Sequence, residues 1–264
     1  MFNINPINSL KEVVTKNLKE INDNKSSNID DSVVSEHIFL SKPSSLRFWS
    51  SFFVILPIFL QAPWVRYQPI SALIFTFVLV ALSIYLYNKV TQRFMILGSL
   101  LLGVAGSWLG GSLFWGWLSS HPVLHIPVEA IALPLALIGL RTKWKIGASF
   151  YIASLFGTAM TDLVIFSTGI MDQWMAVVNA EPEQAPLILQ QTSQNLINYK
   201  PLLMIFIAGS ILWIISKFLS NISFNSSSNK KSLLVASYVL QTTLIVDGIF
   251  VSLAIVQPTF SGLV

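Results

Sequence analysis

Seven long apolar segments dominate this sequence and constrain its fold more than any other feature. Each is close to the roughly 20 residues that a helix needs to cross about 30 Å of hydrocarbon. Only 11% of the chain is charged, against roughly 25% in soluble domains. The segments lie near 48–65, 69–87, 94–118, 124–140, 147–170, 201–219 and 232–256. The sequence therefore predicts an all-α fold, a polytopic membrane bundle of about seven transmembrane helices. The fourth segment is the shortest, so a partly re-entrant segment is the alternative there.

The placement of basic residues predicts the orientation of this bundle. With seven spans, 14 of the 16 Lys and Arg residues fall on the side of the N-terminus, and only Arg66 and Lys200 fall on the other. Because positive loops stay in the cytoplasm, we expect the N-terminus inside and the C-terminus outside. Basic residues scattered over short loops form no face for nucleic acid. The expected partner of the chain is the lipid bilayer.

The N-terminal stretch and one long loop differ in composition from the apolar segments. Residues 1–47 are predicted to be a polar cytoplasmic tail, with a short amphipathic helix followed by a disordered linker. The tail helix suits a membrane surface or a partner protein, with a weakly helical, solvated tail as the alternative. Residues 48–264 are predicted to form the transmembrane bundle. Its outer-side loop, 171–200, is expected to contain one or two short helices, with ordinary loop as the alternative.

Three carboxylates lie inside apolar segments: Glu129, Asp162 and Asp247. At about 1.5 Å per residue, all three fall at a similar depth in the outer third of the membrane. An acid in lipid is costly, so each should face the bundle interior or a water-filled cavity. Hydroxyl residues precede two of the acids at helical spacing: Ser154, Thr158 and Thr243. These residues together predict a binding site for a proton, a cation or a small solute. The alternative is that each acid is hydrogen-bonded locally and only fixes packing.

A second pattern resembles a metal site. His121, His125 and Glu129 run i, i+4, i+8, which would place three metal ligands on one face of an unbroken helix. The prolines at 122 and 127 interrupt this run. The same residues therefore also fit a helix that begins at the second proline, with Glu129 in its first turn. The chain has no cysteine, which excludes thiolate metal sites. The sequence identifies no catalytic residue and no cofactor.

The third segment has a face of small residues: Ser99, Gly103, Gly106 and Gly110. Such a face lets another helix approach closely. We expect it to pack inside the bundle, with contact to another membrane protein as the alternative. Three tryptophans at the outer end of the segment are expected at the membrane interface, with stacking on a ring-shaped ligand as the alternative: Trp108, Trp115 and Trp117.

Three stretches resemble a known family: FWGW (114–117), PVEAIALP (127–134) and SLFGTAMTDL (154–163). They are similar to an uncharacterised family, a domain of unknown function, of polytopic membrane proteins from cyanobacteria. The resemblance covers most of the membrane part and not the tail. It implies the plasma membrane or thylakoid membrane of a photosynthetic bacterium. It implies no activity and assigns no role to any residue.

Three functional hypotheses follow. The first is a small-solute or ion carrier, or the membrane subunit of a transporter, with a carboxylate-lined pocket open to the periplasm or lumen. The second is a non-enzymatic assembly or scaffold factor for photosynthetic or respiratory complexes, which would bind partners through the small-residue face or the tail. The third is a membrane enzyme or metalloprotein that uses His125, Glu129 and Asp162. A cavity that reaches the acids would favour the carrier. An exposed groove of small residues would favour the scaffold, and convergence of His125 with the acids would favour the enzyme or metalloprotein.

Overall fold

The computed structural model describes residues 43–181, 183–226 and 228–256, and every regular element within these ranges is a helix. The α-helices are α1 (Pro43–Leu56), α2 (Ala62–Tyr67), α3 (Pro69–Tyr87), α4 (Gln92–Leu113), α5 (His125–Glu129), α6 (Leu133–Gly139), α7 (Lys145–Ser167), α8 (Met171–Asn179), α9 (Ala185–Asn195), α10 (Tyr199–Asn225) and α11 (Lys230–Val256). Two π-helical turns adjoin them, Pro57–Gln61 between α1 and α2 and Phe114–Leu118 after α4. Short 3₁₀ turns flank α5 at Pro122–Leu124 and Ala130–Ala132.

Seven helical stretches in the described ranges are long and apolar enough to cross a membrane. They are Ser44–Tyr67, Pro69–Tyr87, Gln92–Leu118, Pro122–Gly139, Lys145–Ser167, Tyr199–Asn225 and Lys230–Val256. The predicted all-α polytopic bundle is thus confirmed, and the chain is an integral membrane protein. The first helix begins at Pro43, so the last residues of the predicted tail are helical. The rest of the tail lies outside the described residues.

The helix α4 occupies the centre of the bundle. In the span Gln92–Leu118, 61% of the most apolar stretch is buried inside the protein, against 28% or less of the corresponding stretch in each of the other six spans. It packs against α3 on one side and α7 on the other, while α11 packs against α1, α7 and α10. Proline explains the broken spans, since its ring nitrogen cannot donate the helical hydrogen bond. Pro57 starts the π turn between α1 and α2.

Trp108 lies in the core, which corrects the expectation that it lies at the membrane interface. Its side chain is 0% exposed, because α3 covers this face of α4. The indole nitrogen donates a hydrogen bond to the carbonyl of Ala72 at 2.8 Å. Trp64 and Phe75 contact the ring edge to face. Trp117, by contrast, is half-exposed.

Contacts between helix ends and connections agree with the alternating topology. The ammonium of Lys145, the first residue of α7, donates to the Ser228 carbonyl and to Asn229 in the connection before α11. Arg66 at the end of α2 donates to the Ala180 carbonyl between α8 and α9 at 3.1 Å. Each contact joins segments predicted to lie on one side of the membrane. Which side faces the cytoplasm stays a prediction. The side that holds α8 and α9 is called the outer side below.

Candidate functional site

The small-residue face of α4 lets α7 pack against it at very short distance. A Cβ atom on Gly103 would lie 2.3 Å from the Gly147 carbonyl oxygen, so only glycine fits there. The Gly147 amide donates to the Ser99 hydroxyl at 3.0 Å. Because backbone meets backbone here, the position of α7 relative to α4 is closely determined.

The same face positions α5. A Cβ atom on Gly110 would lie 2.7 Å from the Cα atom of Glu129, and one on Gly106 would lie 3.0 Å from the ring of Tyr151. The Tyr151 hydroxyl donates to the backbone carbonyl of Glu129. The short helix α5 is therefore held between α4 and α7, and the side chains on its first and last residues have a defined location.

His125 joins two of the predicted acids. Its Nδ1 lies 2.8 Å from Oδ2 of Asp162 on α7, and its Nε2 lies 3.2 Å from Oε1 of Glu129, one turn along α5. The three side chains, here called the His125 cluster, are each between 13% and 22% exposed. The Phe114 ring stacks on the imidazole with centroids 4.1 Å apart. The ring is thus fixed on both edges and on one face.

The hydrogen bonds of this cluster require a minimum number of protons. A nitrogen and a carboxylate oxygen bond only through a proton, so the two contacts of His125 require two protons. With these two protons and no other, one imidazole and two carboxyl groups carry one net negative charge, whichever atoms hold the protons. In that state the cluster is anionic even though it contains a histidine.

Asp247 lies on α11 and has a different partner. Its Oδ2 accepts a hydrogen bond from the Thr161 hydroxyl of α7 at 2.7 Å. One turn earlier on both helices, Thr243 packs on Gly157, where a Cβ atom would lie 2.9 Å from the threonine methyl. Within the described ranges, no Lys, Arg or His forms an ion pair with Asp247.

The hydroxyl residues predicted beside the acids have mainly local bonds. Thr158 donates to the Ser154 carbonyl at 3.3 Å, and Thr243 donates to the Val239 carbonyl at 3.1 Å. Each bond lies within a single helix and stabilises no carboxylate. These side chains contribute polar surface next to the acids, while the hydrogen bond to an acid comes from Thr161.

One cavity of about 770 Å³ reaches all six predicted binding residues: Ser154, Thr158, Glu129, Asp162, Thr243 and Asp247. It extends from the outer helices α8 and α9 into the bundle as far as Ser51 and Phe150. One face of α8 lines it on the outer side: Met171, Trp174, Met175 and Val178. Most of its remaining wall is apolar.

The structure does not bring His121 into the His125 cluster. Pro122 begins a 3₁₀ turn, so the helix that would have aligned His121 with Glu129 is broken, and His121 is exposed outside the cavity. Among the described residues, no group of three His, Cys, Asp or Glu side chains is arranged to hold a metal ion. Of the three residues at i, i+4, i+8 spacing, only His125 and Glu129 are therefore in contact with each other.

The chain matches the family model described as protein of unknown function (DUF3120) over residues 50–255. It belongs to the DUF3120 family. The match begins inside the first span, ends one residue before the end of the seventh, and includes the His125 cluster and Asp247. The comparison with curated proteins gives no match, and neither does the comparison with solved structures.

Two contacts of this DUF3120 chain go beyond the binding residues that the sequence predicts. The sequence offers His125 as a metal ligand, or as part of an enzyme site with Glu129 and Asp162, and in the structure its imidazole is hydrogen-bonded to both acids. The i, i+4 spacing predicts that His125 lies next to Glu129, whereas its contact with Asp162 on α7 depends on tertiary packing. Thr161 could have been found from its spacing: Gly157 and Thr161 form an i, i+4 pair that faces the i, i+4 pair Thr243 and Asp247.

Proposed function

We propose that this DUF3120 chain is a small-solute or ion carrier, or the membrane subunit of a transporter, with its binding pocket open to the periplasm or lumen. The observation that carries the proposal is the cavity of about 770 Å³ that reaches Glu129, Asp162 and Asp247 at once. Ligand pockets measure about 300–1,000 Å³ and combine apolar walls with a few polar groups. Ionisable groups within a membrane are expensive and commonly mark pathways for ions and solutes.

Purified protein in lipid vesicles tests this function. Vesicles would be exposed to a panel of amino acids, amines, sugars and inorganic cations, and their contents measured by mass spectrometry. We expect at least one solute to enter these vesicles faster than protein-free vesicles. The variant Asp247→Asn should slow that entry, because it removes the charge of a cavity acid. The matched control Asp172→Asn, an exposed acid outside the cavity, should leave it unchanged. Equal entry into both kinds of vesicle for every solute would contradict a carrier.

The scaffold hypothesis has less support in the membrane part. In this hypothesis the small-residue face of α4 binds a partner, but α7 and α5 of the same chain cover that face. The tail, as the other proposed docking element, lies outside the described residues. Co-purification from native membranes, followed by mass spectrometry of proteins and small molecules, separates the two functions. A stoichiometric protein partner would favour the scaffold, and a bound solute the carrier. The plasma or thylakoid location remains a proposal that rests on the resemblance.

A membrane enzyme is a second candidate, favoured by the contacts of His125 with two acids at 2.8 and 3.2 Å. A histidine oriented by a carboxylate can act as a general acid or base. Chemical conversion of the co-purified small molecule by the purified protein would support this candidate. Loss of that conversion in His125→Gln, with binding retained, would assign the proton transfer to the imidazole. Release of the molecule unchanged would favour the carrier.

A further inference from the structure

Acids outnumber basic side chains in the lining of the cavity: Glu129, Asp162 and Asp247 face it with His125. With its two hydrogen-bonded protons alone the His125 cluster carries one net negative charge, and Asp247 has only the neutral Thr161 as its partner. Among the described residues that line the cavity there is no Lys or Arg. A buried acid without a cation is unfavourable in a membrane. A ligand with a positive charge would remove this imbalance.

The wall of the cavity selects a ligand with an apolar body. Apart from the acids and a few hydroxyl groups, the lining is aliphatic and aromatic, including Trp115 beside His125 and Trp174 on α8. The faces of such rings attract organic cations. A cavity of about 770 Å³ is also far larger than a single ion requires.

An inorganic cation fits this site poorly. Calcium takes six to eight oxygen ligands, and magnesium requires a nearly octahedral set. Glu129 and Asp162 are joined through the imidazole of His125, and Asp247 lies on another helix with Thr161. The described residues provide no group of three ligands for a metal. An ammonium group, in contrast, needs only one or two acceptors and a neighbouring apolar surface.

We propose that the cavity binds a small organic amine, with its ammonium group between Asp247 and the His125 cluster and its apolar body against the aromatic wall. This proposal rests on the carrier function and names the substrate class of the same site. The outer helix α8 would cover the apolar end, because its residues Met171, Trp174 and Val178 line the cavity on that side.

Three probes with one aromatic body test the proposal. At neutral pH, 2-phenylethylamine carries a positive charge, 2-phenylethanol none and phenylacetate a negative charge. Their affinities for the purified full chain in detergent would be measured by calorimetry and by the shift of the unfolding temperature. We expect the amine to bind at least about tenfold more tightly than the alcohol, and phenylacetate to bind most weakly.

Asp247→Asn and Asp172→Asn form a matched pair of variants. The first keeps an oxygen that accepts from Thr161 but removes the negative charge, so the preference for the amine over the alcohol should fall toward unity. The second removes the charge of an exposed acid outside the cavity and should leave the preference unchanged. Unchanged affinity for the alcohol in both variants would show that the cavity is still folded.

The outcomes separate the amine site from the carrier function. Equal affinity for amine and alcohol, tighter binding of phenylacetate, or no binding of any probe would overturn the amine site. Amine binding without movement across a vesicle membrane would keep the site and overturn the carrier. Carriage of a neutral or anionic solute would keep the carrier and overturn the amine site.

Discussion

At the residue scale, the site depends on His125. One imidazole separates two carboxyl groups that would otherwise repel each other inside the membrane, and it gives each a hydrogen bond. Phe114 restricts the orientation of the ring by stacking on it. The two acids come from different helices, so the histidine also connects α5 to α7. Removing it would leave buried polar groups without a partner, which is more costly than the bond itself is favourable.

We expect His125→Leu to lower the free energy of unfolding by about 2–3 kcal/mol, because hydrogen bonds to charged groups are lost. Thermal or denaturant unfolding of the purified protein in detergent measures this. Adding Asp162→Asn should cost less in the His125→Leu background than in the wild type, since it then removes an unpaired charge. His121→Leu is the control, and its exposed side chain should give a change within about 0.5 kcal/mol. Additive effects of the two cluster substitutions would contradict the bridging role.

At the element scale, the helix α4 positions the site without lining most of it. Its glycines permit backbone contact with α7 and α5, which places Asp162 and Glu129 on either side of His125. The π turn before α2 is fixed by a different contact to the same helix. There the buried Gln61 donates to the Trp108 carbonyl at 2.6 Å and to the Ser112 hydroxyl at 2.9 Å.

Gly103→Ala should therefore separate α4 from α7. The added methyl group would meet the Gly147 carbonyl at 2.3 Å, and backbone can yield only if the helices move. We expect a loss of about 1–3 kcal/mol in the free energy of unfolding. Gly209→Ala on α10 is the control, since its nearest neighbour would be a leucine methyl at 3.4 Å. It should be neutral or slightly stabilising, as alanine favours helix. Equal stability of the two variants would contradict the packing role of Gly103.

Gln61→Leu tests the contact that fixes the π turn. Loss of its two buried hydrogen bonds to α4 should cost about 1–3 kcal/mol in the free energy of unfolding. The same substitution at Gln68, whose side chain is exposed, should have little effect. Unfolding in detergent compares the two variants directly. If Gln68→Leu were as destabilising as Gln61→Leu, the cost would come from the leucine and not from the lost bonds.

At the scale of the whole molecule, the architecture can be predicted from the sequence more fully than the contacts between side chains can. Apolar length determines the spans directly, since lipid requires every backbone group to be satisfied within a helix. The cost of burying an acid predicts that Glu129, Asp162 and Asp247 face inward, and all three line one cavity. The sequence offers the convergence of His125 with Asp162 only within one of three hypotheses, because this pairing depends on the rotation of α7 against α5. The covered position of Trp108 has the same cause, since hydropathy does not reveal which helix lies against α4.

The orientation of the bundle can be tested through the absence of cysteine, because a single introduced cysteine is then the only thiol in the chain. Val90, Thr142 and Gln173 are exposed and lie in the α3–α4 connection, the α6–α7 connection and α8. A membrane-impermeant maleimide should label Gln173→Cys in intact cells, and Val90→Cys and Thr142→Cys only after permeabilisation. The ring centroids of Tyr87 and Trp144 lie 4.0 Å apart, which supports a common side for the neighbouring positions Val90 and Thr142. Labelling of Val90→Cys and Thr142→Cys, but not of Gln173→Cys, in intact cells would reverse the predicted orientation of the bundle. Labelling of Thr142→Cys in intact cells, with Val90→Cys and Gln173→Cys protected, would mean that Pro122–Gly139 does not cross the membrane.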